Sequence, residues 1–367
     1  MKKVMIVTTS IGDEAVFKRF FRAYARVDVS SLHAKLLVVG DKNTACTRFS
    51  HLPEHERLVE KGFEFEYLGV EEQTGIMQSK PYMEDLIPWK RIQRRNIGYL
   101  SAYKSGYDVV VTVDDDNFPI NESFLKDHLA NLTADNLRVL HPKKDRLSWF
   151  NPCSVLPNHI VHRGFPIEHR YDPMRVMEKT NMCGGTVVVS EGFWIGDPDI
   201  DAIARIEGNP RNTRVGKISQ LKNFCVSGRL LSPFNSQNTA FRREVIPTLF
   251  LSSKIGRYDD IWASYFLKAL LYVTGDFVMY GKPIVRQERN AHNSFNDLKN
   301  EIFGMQNTKA FVDELMEFVL NERDGLLKLS YFNMAKKVSE VMLRQSVKFN
   351  WYYLDILRWL ELLETSL

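Results

Sequence analysis

Residues 108–116 read DVVVTVDDD, a run of apolar residues that ends in three consecutive aspartates. A short valine-rich run bounded by polar residues is typical of a strand that is buried on both faces. Three neighbouring carboxylates repel one another and need a counter-charge, which a helix N-terminus or a divalent cation can supply. This stretch therefore predicts a buried strand whose carboxyl end carries an acidic site.

Other strands and helices alternate along the first part of the chain. Apolar runs predict strands at residues 3–8, 36–41 and 63–68, and helical spacing of apolar residues predicts helices at residues 13–25 and 92–104. This alternation favours βαβ units, and so an α/β Rossmann-type fold with a mostly parallel sheet and flanking helices.

Polar residues stand where several of the predicted strands end. Thr8 and Ser10 close the first strand and Asp41 closes the second, while Asp115 lies within the acidic stretch. Ligands of open parallel sheets bind at the carboxyl ends of the strands. We therefore expect these four residues to bind substrate.

The acidic stretch itself suits a metal site. Asp114 and Asp116 are two residues apart and point to the same side if strand geometry continues. Carboxylates together with a substrate diphosphate are typical ligands of a hard divalent cation. Asp114 and Asp116 are therefore the predicted metal ligands. An acidic stretch in this position is typical of a metal-dependent nucleotide-sugar site, so Asp115 is expected to face the sugar of such a substrate or a structural partner.

Two basic clusters lie ahead of this strand in the sequence. Lys90, Arg94 and Arg95 are candidates for stabilising the negative charge of a departing diphosphate. A solvated surface position is the alternative for each of them, and the sequence leaves that alternative open.

A second acidic pair occurs in GRYDDIW at residues 256–262, ahead of an apolar helical stretch at 262–271. Asp259 and Asp260 suit the first turn of a helix, where the helix dipole favours negative charge. They also suit a site in which a carboxylate faces a sugar or acceptor hydroxyl. Both interpretations stay open at this point.

Composition and motifs exclude several classes of protein. The formal net charge of +4 over 367 residues is too small to indicate nucleic-acid binding by itself. Neither GxGxxG nor GxxxxGK[ST] follows the first strand, which disfavours dinucleotide and P-loop sites. Four widely spaced cysteines predict neither disulfides nor zinc. With no signal peptide and no membrane span expected, a cytoplasmic protein is predicted.

The pattern changes to helix near residue 306. We predict a catalytic domain at residues 1–305 and a C-terminal helical region at 306–367. This helical region can pack on the domain, form a contact in a homo-oligomer, or touch a membrane surface, and the sequence does not choose among these.

Several further segments, in order, match segments of one known family. They are IPWK at 87–90 with RRNIGYL at 94–100, DDDN at 114–117, VHRGFP at 161–166, GFW at 192–194 with PDIDA at 198–202, RNTR at 211–214, GRYDDIWA at 256–263, and NSF at 293–295. Through them the chain resembles the reversibly glycosylated polypeptide family, which includes the plant UDP-arabinopyranose mutases.

The resemblance implies a fold, a cofactor and site residues. It implies a GT-A-like glycosyltransferase fold, a UDP-sugar donor and a divalent metal, Mn²⁺ or Mg²⁺. By position, Arg163 is the counterpart of the arginine that becomes glycosylated in the family, and Asp259 or Asp260 would orient it. Trp194 and Arg257 lie in matching segments and are expected to bind substrate.

One departure from the family concerns the metal. The histidine-bearing stretch that precedes the NSF segment in the family has no aligned histidine here. Glu288 falls at about that place and His292 lies four residues further on. These two residues are therefore the candidates for a further metal ligand.

Three functions remain compatible with these observations. The first is a nucleotide-sugar mutase acting on UDP-arabinose. The second is a glycosyltransferase that passes a sugar from a UDP donor to a separate acceptor, such as a glycan, lipid, protein or modified nucleic-acid base. The third is a catalytically silent sugar-nucleotide binder, against which the intact acidic stretch and Arg163 argue.

Overall fold

The first part of the chain forms a parallel sheet. The structure is a computed structural model that describes residues 1–144, 146–156, 160–173, 176–182, 184–208, 221–289 and 293–365. Its first strands are β1 (Lys2–Thr9), β2 (Leu32–Val39), β3 (Phe63–Leu68) and β4 (Val109–Val113). They lie in the order β3-β2-β1-β4, and every neighbouring pair is parallel. All residues of β4 are buried, as its valine-rich sequence predicts.

Later strands extend this sheet and add a small separate pair. They are β5 (Asn117–Pro119), β6 (Leu137–Pro142), β7 (Ser148–Trp149), β8 (Val176–Met182), β9 (Val187–Gly196), β10 (Phe224–Val226), β11 (Leu230–Leu231), β12 (Asn238–Arg242) and β13 (Phe277–Gln287). The main sheet runs β3-β2-β1-β4-β12-β9-β13-β10-β6-β8, with β5 beside β13. β7 and β11 form a separate two-stranded sheet. Each antiparallel pair of the main sheet involves a strand that follows β4. The predicted α/β class is confirmed.

Helices connect the strands and form the C-terminal part. They are α1 (Glu14–Tyr24), α2 (Pro53–Glu60), α3 (Val70–Gln78), α4 (Met83–Leu86), α5 (Arg95–Lys104), α6 (Phe124–Leu132), α7 (Ala202–Glu207), α8 (Asp259–Thr274), α9 (Ser294–Asn321), α10 (Arg323–Leu326), α11 (Tyr331–Gln345) and α12 (Asn350–Glu364). The helix expected at residues 92–104 is a 3₁₀ turn over Ile92–Arg94 that continues into α5.

The C-terminal helices pack against the rest of the molecule. The proposed boundary between residues 305 and 306 falls inside α9. Phe311 of α9 stacks on Trp262 of α8, with 4.1 Å between ring centroids, and Trp359 of α12 donates to the carbonyl of Ile246 at 3.3 Å. These contacts show the C-terminal helices packed on the domain, which is one of the three roles left open for this region. In the described ranges, no helix is both long and apolar enough to cross a membrane.

The strand order creates a ligand site. The chain runs from β1 outward to β2 and β3, and then returns to the other side of β1 with β4. In open α/β sheets, ligands bind at the carboxyl ends of the strands where the order reverses in this way. Thr9 ends β1 at this point, and residues 114–116 follow β4.

Helix α5 lies unusually close to β1. A Cβ atom added at Gly98 would lie 2.3 Å from Cγ1 of Val7. Only glycine therefore allows this approach, and the approach carries the first residue of α5, Arg95, to the carboxyl end of the sheet.

Candidate active site

Most charged residues predicted from the sequence line one cavity at the carboxyl ends of β1 and β4. Its volume is about 250 Å³. The first turn of α8 forms another of its walls. Eight of the predicted residues line it, namely Arg95, Asp114, Asp115, Asp116, Arg163, Arg257, Asp259 and Asp260. Residues that are far apart in the sequence thus share a single site.

The first two aspartates of the acidic stretch have separate partners. Arg95, whose side chain is 1% exposed, donates from Nη2 to Oδ1 of Asp114. Ser10 donates from Oγ to Oδ2 of Asp115, so the expected structural partner of Asp115 is a residue from the end of β1. Burial is the main cause that raises the pKa of Asp115. A cation in the cavity would offset the cost of keeping this carboxyl ionised.

Arg163 is buried and held at each guanidinium nitrogen. Nε donates to Oδ2 of Asp199 at 2.8 Å, Nη2 donates to Oδ2 of Asp260 at 2.9 Å, and Nη1 donates to the carbonyl of Arg257. Burial alone would lower the pKa of Arg163, but Asp199 and Asp260 outweigh burial and raise it well above its usual value. Of the two carboxylates expected to orient Arg163, Asp260 makes the contact.

Asp260 also connects Arg163 to the acidic stretch. Its Oδ2 accepts from the backbone nitrogen of Ser236 at 3.0 Å and from Oγ of Ser236 at 3.1 Å. Arg95 in turn donates from Nη1 to the carbonyl and to Oγ of Ser236, at 2.9 and 2.8 Å. A continuous chain of polar contacts therefore runs from Asp114 through Arg95, Ser236 and Asp260 to Arg163.

Asp259 occupies a more isolated position beside Asp260. It accepts a hydrogen bond from Nε2 of Gln93 at 2.7 Å. Burial, followed by the neighbouring charge of Asp260, raises the pKa of Asp259. Gly256 makes the local geometry possible, because its φ of +69° suits glycine and a Cβ there would lie 2.2 Å from the carbonyl oxygen of Asn300.

A buried histidine and glutamate lie behind Arg163. His162 contacts the carbonyl of Arg163 through Nδ1 at 2.6 Å and Oε1 of Glu191 through Nε2 at 3.0 Å. Both partners are acceptors, so the ring needs a proton on each nitrogen to satisfy them. Burial lowers the pKa of His162, but Glu191 outweighs this effect and the pKa is raised. Burial in turn raises the pKa of Glu191. The buried, hydrogen-bonded pair of His162 and Glu191 supports the backbone that carries Arg163.

Two of the expected diphosphate-binding cations lie elsewhere. Arg94 stacks on Trp89, with its guanidinium carbon 3.7 Å from the ring centroid, and donates to the carbonyl of Ile87 and to Oε1 of Gln73. Lys90 is exposed and has a positive φ of 59°. Neither residue lines the cavity.

Four more predicted substrate-binding residues do not line the cavity, and one of them is Ser10, whose hydroxyl instead bonds Asp115. Thr8 is buried and points away from it, because neighbouring strand residues alternate in direction and the next residue, Thr9, is the one that lines the cavity. Asp41 accepts from the backbone nitrogens of Lys42 and Arg91 and so orders a nearby loop. Trp194 is fully buried in the core.

Of the two candidates for a further metal ligand, Glu288 lies in the described part of the chain and His292 does not. The carboxylate of Glu288 pairs with Arg19 at 2.6 Å, and both side chains are about half exposed. The backbone nitrogen of Glu288 bonds the carbonyl of Asp116, so the residue adjoins the acidic stretch although its carboxylate lies outside the cavity. His292 and the RNTR segment at 211–214 lie outside the described residues.

Several residues in or beside the cavity were not predicted. Asp199, which pairs with Arg163, lies in the PDIDA segment at 198–202, so this segment was the available signal. Gln237, Gln287 and Arg289 line the cavity itself. No motif marks them: Gln237 precedes β12, Gln287 ends β13 and Arg289 follows it, and only the tertiary structure brings these strand ends to the cavity.

The acidic stretch provides the chemistry of a hard-cation site. Asp114, Asp115 and Asp116 line the same cavity and offer carboxylate oxygens, which Mg²⁺ and Mn²⁺ prefer. Within the described ranges, no three His, Cys, Asp or Glu side chains converge closely enough to form a complete metal site.

The fold and the cavity define an α/β protein with a highly charged ligand site at the switch point of its sheet. Residues 162–366 match the model of the family described as "Reversibly glycosylated polypeptide", and the chain belongs to this family.

Curated relatives carry mutase names. The chain is 25% identical to "Probable UDP-arabinopyranose mutase 1" of Pisum sativum, over 77% of this chain and 73% of the relative. It is also 25% identical to UDP-arabinopyranose mutase 1 of Arabidopsis thaliana, over 77% and 74%.

Solved structures share a similar arrangement at low identity. Glucosyl-3-phosphoglycerate synthase from Mycobacterium tuberculosis, in complex with Mn²⁺, UDP and phosphoglyceric acid, is 11% identical with a TM-score of 0.42, covering 85% of this chain and 78% of that one. TarS from S. aureus in complex with UDP-GlcNAc is 14% identical with a TM-score of 0.37, covering 99% and 91%. At these TM-scores, neither likeness bears on the chemistry of the site.

Proposed function

We propose that this protein is a metal-dependent enzyme that acts on a UDP-sugar, with interconversion of UDP-arabinopyranose and UDP-arabinofuranose through a transient arginine adduct as its activity. Membership of the reversibly glycosylated polypeptide family and the names of its relatives support the substrate class. The single observation that carries the mechanism is the contact between Nη2 of Arg163 and Asp260, in the same cavity as the acidic stretch.

A covalent route through Arg163 balances as follows. Nη2 bonds to the anomeric carbon of the sugar while the bond from that carbon to the diphosphate oxygen breaks, and UDP leaves with the electron pair. Asp260 takes the proton that Nη2 loses. A guanidinium is a poor nucleophile while protonated, so a carboxylate 2.9 Å away is the group that this step requires.

The sugar then changes ring size on the arginine. The ring oxygen leaves the anomeric carbon and takes the proton that Asp260 holds, while the lone pair of Nη2 forms a double bond to that carbon. Another hydroxyl of the same sugar then adds to this carbon, the double bond to Nη2 becomes a single bond again, and the proton of that hydroxyl goes back to Asp260. Finally, the diphosphate oxygen attacks the anomeric carbon, the bond to Nη2 breaks, and Asp260 returns the proton to Arg163.

Besides a nucleophile and a base, the proposed reaction requires positive charge near the leaving diphosphate. Arg95 and Arg257 line the cavity and would bind the diphosphate as its charge develops. A divalent cation held by Asp114 and Asp116 would supply Lewis-acid stabilisation of the same oxygens when bound.

A second candidate is transfer of the sugar to a separate acceptor, such as a glycan, lipid, protein or modified nucleic-acid base. One observation favours it: all three nitrogens of Arg163 are already engaged, by Asp199, Asp260 and the carbonyl of Arg257. A guanidinium held in this way can stabilise a leaving diphosphate without forming a bond to the sugar. In that case Asp260 or Asp259 would act as the base toward an external hydroxyl.

The decisive experiment supplies the donor without an acceptor. The protein is incubated with UDP-arabinopyranose and Mn²⁺, the nucleotide sugars are separated, and the protein is examined by intact mass spectrometry. Formation of UDP-arabinofuranose together with one pentosyl residue on Arg163 supports the mutase. Slow release of UDP alone supports the transferase. If the protein neither binds nor converts the nucleotide sugar, both proposals are contradicted.

Two variants refine the result. Arg163→Lys keeps a positive charge but loses the planar guanidinium, so we expect it to bind UDP and to form neither adduct nor product. Arg243→Lys is the matched control, because Arg243 is exposed and stacks on Tyr103. A mutase that is fully active with Arg163→Lys would exclude the covalent arginine route.

We also propose a reducing compartment such as the cytosol as the site of action. Cys46, Cys153 and Cys225, the cysteines that the structure describes, are free thiols. Cell fractionation with an antibody against the protein tests this location.

A further inference from the structure

Two glutamines flank the acidic stretch in the sheet. Gln237 immediately precedes β12, whose first residue, Asn238, pairs with Val113 at the end of β4. Gln287 ends β13 and pairs with Asn117, the residue that follows the acidic stretch. Each glutamine therefore lies near one end of residues 114–116, and both line the cavity.

The side-chain amides of these glutamines are buried but unused. Gln237 is 7% exposed and Gln287 is 4% exposed, and Oε1 of each has no hydrogen-bond partner. Within the described part of the chain, neither amide nitrogen donates a hydrogen bond to another residue. Buried polar groups in native proteins are nearly always paired, so an unpaired amide at a cavity needs an explanation.

The chemistry of an amide narrows the choice of partner. An uncharged amide offers both a donor and an acceptor, which matches a hydroxyl group, whereas phosphate oxygens and cations are better served by the arginines and aspartates of the same cavity. The outer torsion of a glutamine is broad, so either the oxygen or the nitrogen can turn toward a ligand. The two amides are therefore suited to an uncharged, polyhydroxyl group.

We propose that Gln237 and Gln287 hydrogen-bond the hydroxyls of the sugar in the UDP-sugar and so determine which sugar the enzyme accepts. This inference rests on the proposed function and adds specificity residues to it. Sites that hydrogen-bond a substrate hydroxyl discriminate strongly against ligands that lack it, because the buried polar groups are then left unpaired.

Calorimetric binding of two probes, UDP and UDP-arabinopyranose, both with Mn²⁺, tests the inference. The variants are Gln237→Met and Gln287→Met, which keep the length of the side chain and remove the amide. Gln78→Met is the matched control, because Gln78 is an exposed residue at the end of α3. Thermal unfolding of each variant establishes that it is folded.

The inference predicts a selective loss. Each variant should bind UDP-arabinopyranose about 10-fold more weakly than the wild type, equal to about 1.4 kcal/mol, while binding UDP with unchanged affinity. Wild-type affinity for both probes in both variants would overturn the inference and leave the proposed function intact. Equal weakening for both probes would also overturn it, since the amides would then act on the nucleotide. A wild type that binds neither probe would overturn the proposed function itself.

Discussion

Asp260 binds Arg163 through one oxygen only. Its Oδ2 accepts from Nη2 of Arg163 at 2.9 Å, whereas its Oδ1 is buried without a hydrogen-bond partner. The same carboxylate can therefore hold the guanidinium in place and still offer an oxygen that accepts a proton. This arrangement is the basis of the first prediction.

Replacement of Asp260 by asparagine should lower kcat by about 10²–10⁴-fold, the range expected for loss of a positioned base. Asparagine has nearly the same shape, so we expect a small change in KM. Steady-state conversion of UDP-arabinopyranose measures both constants. A fall in kcat/KM caused only by a higher KM would instead indicate that Asp260 binds substrate and takes no proton.

The metal assignment is tested at Asp116. Asp116→Ala should weaken the Mn²⁺-dependent part of UDP binding by more than about 10-fold, since loss of even an outer-shell partner weakens metal binding by 10–100-fold. Calorimetric titrations with Mn²⁺ and with EDTA separate the metal-dependent part. Asp135→Ala is the control, because Asp135 is exposed. Unchanged affinity in Asp116→Ala would contradict a metal at the acidic stretch.

The buried pair of His162 and Glu191 should be important for stability. Glu191→Gln removes the carboxylate that raises the pKa of His162, so the histidine must either lose its proton and one hydrogen bond or stay charged without a partner, and the free energy of unfolding should fall by about 1–3 kcal/mol. Denaturant unfolding measures this loss. Adding His162→Gln to Glu191→Gln should restore part of it, because no unpaired charge then remains. A purely additive double variant would show that the two side chains are not a charged pair.

His128 gives a pH-dependent prediction. It is fully buried, between the hydroxyl of Ser190 and Oδ1 of Asn238, and burial lowers its pKa from 6.5 to about 4. The folded state therefore disfavours the proton. The contribution of neutral His128 to the free energy of unfolding is complete above about pH 6.5 and is lost as the pH falls from about 6.5 to about 4.

The test compares wild type with His128→Gln by denaturant unfolding at several pH values. Between about pH 8 and pH 5, the free energy of unfolding of the wild type should fall by about 2 kcal/mol more than that of the variant. The difference between the two proteins isolates His128 from the carboxyl groups that titrate nearby. Parallel pH profiles would show that this histidine does not titrate in the expected range.

Local sequence was sufficient for the elements around the site. The valine-rich run, the helix that begins at Asp259 and the strand at Phe63–Leu68 all follow from the spacing of apolar residues. The resemblance to a family directed attention to Arg163, whose surroundings no local pattern reveals. Its partner Asp199 lies 36 residues away in sequence, and such pairs depend on the packing of distant strands.

Arg94 and Arg95 show where sequence and tertiary structure divide. The sequence by itself determined an α/β chain with an acidic stretch at the end of a buried strand and a basic pair at the start of a helix. Tertiary structure alone decided that Arg95 reaches Asp114 whereas Arg94 stacks on Trp89. Neighbouring helical residues point roughly 100° apart, and which one faces the site depends on how α5 packs on β1.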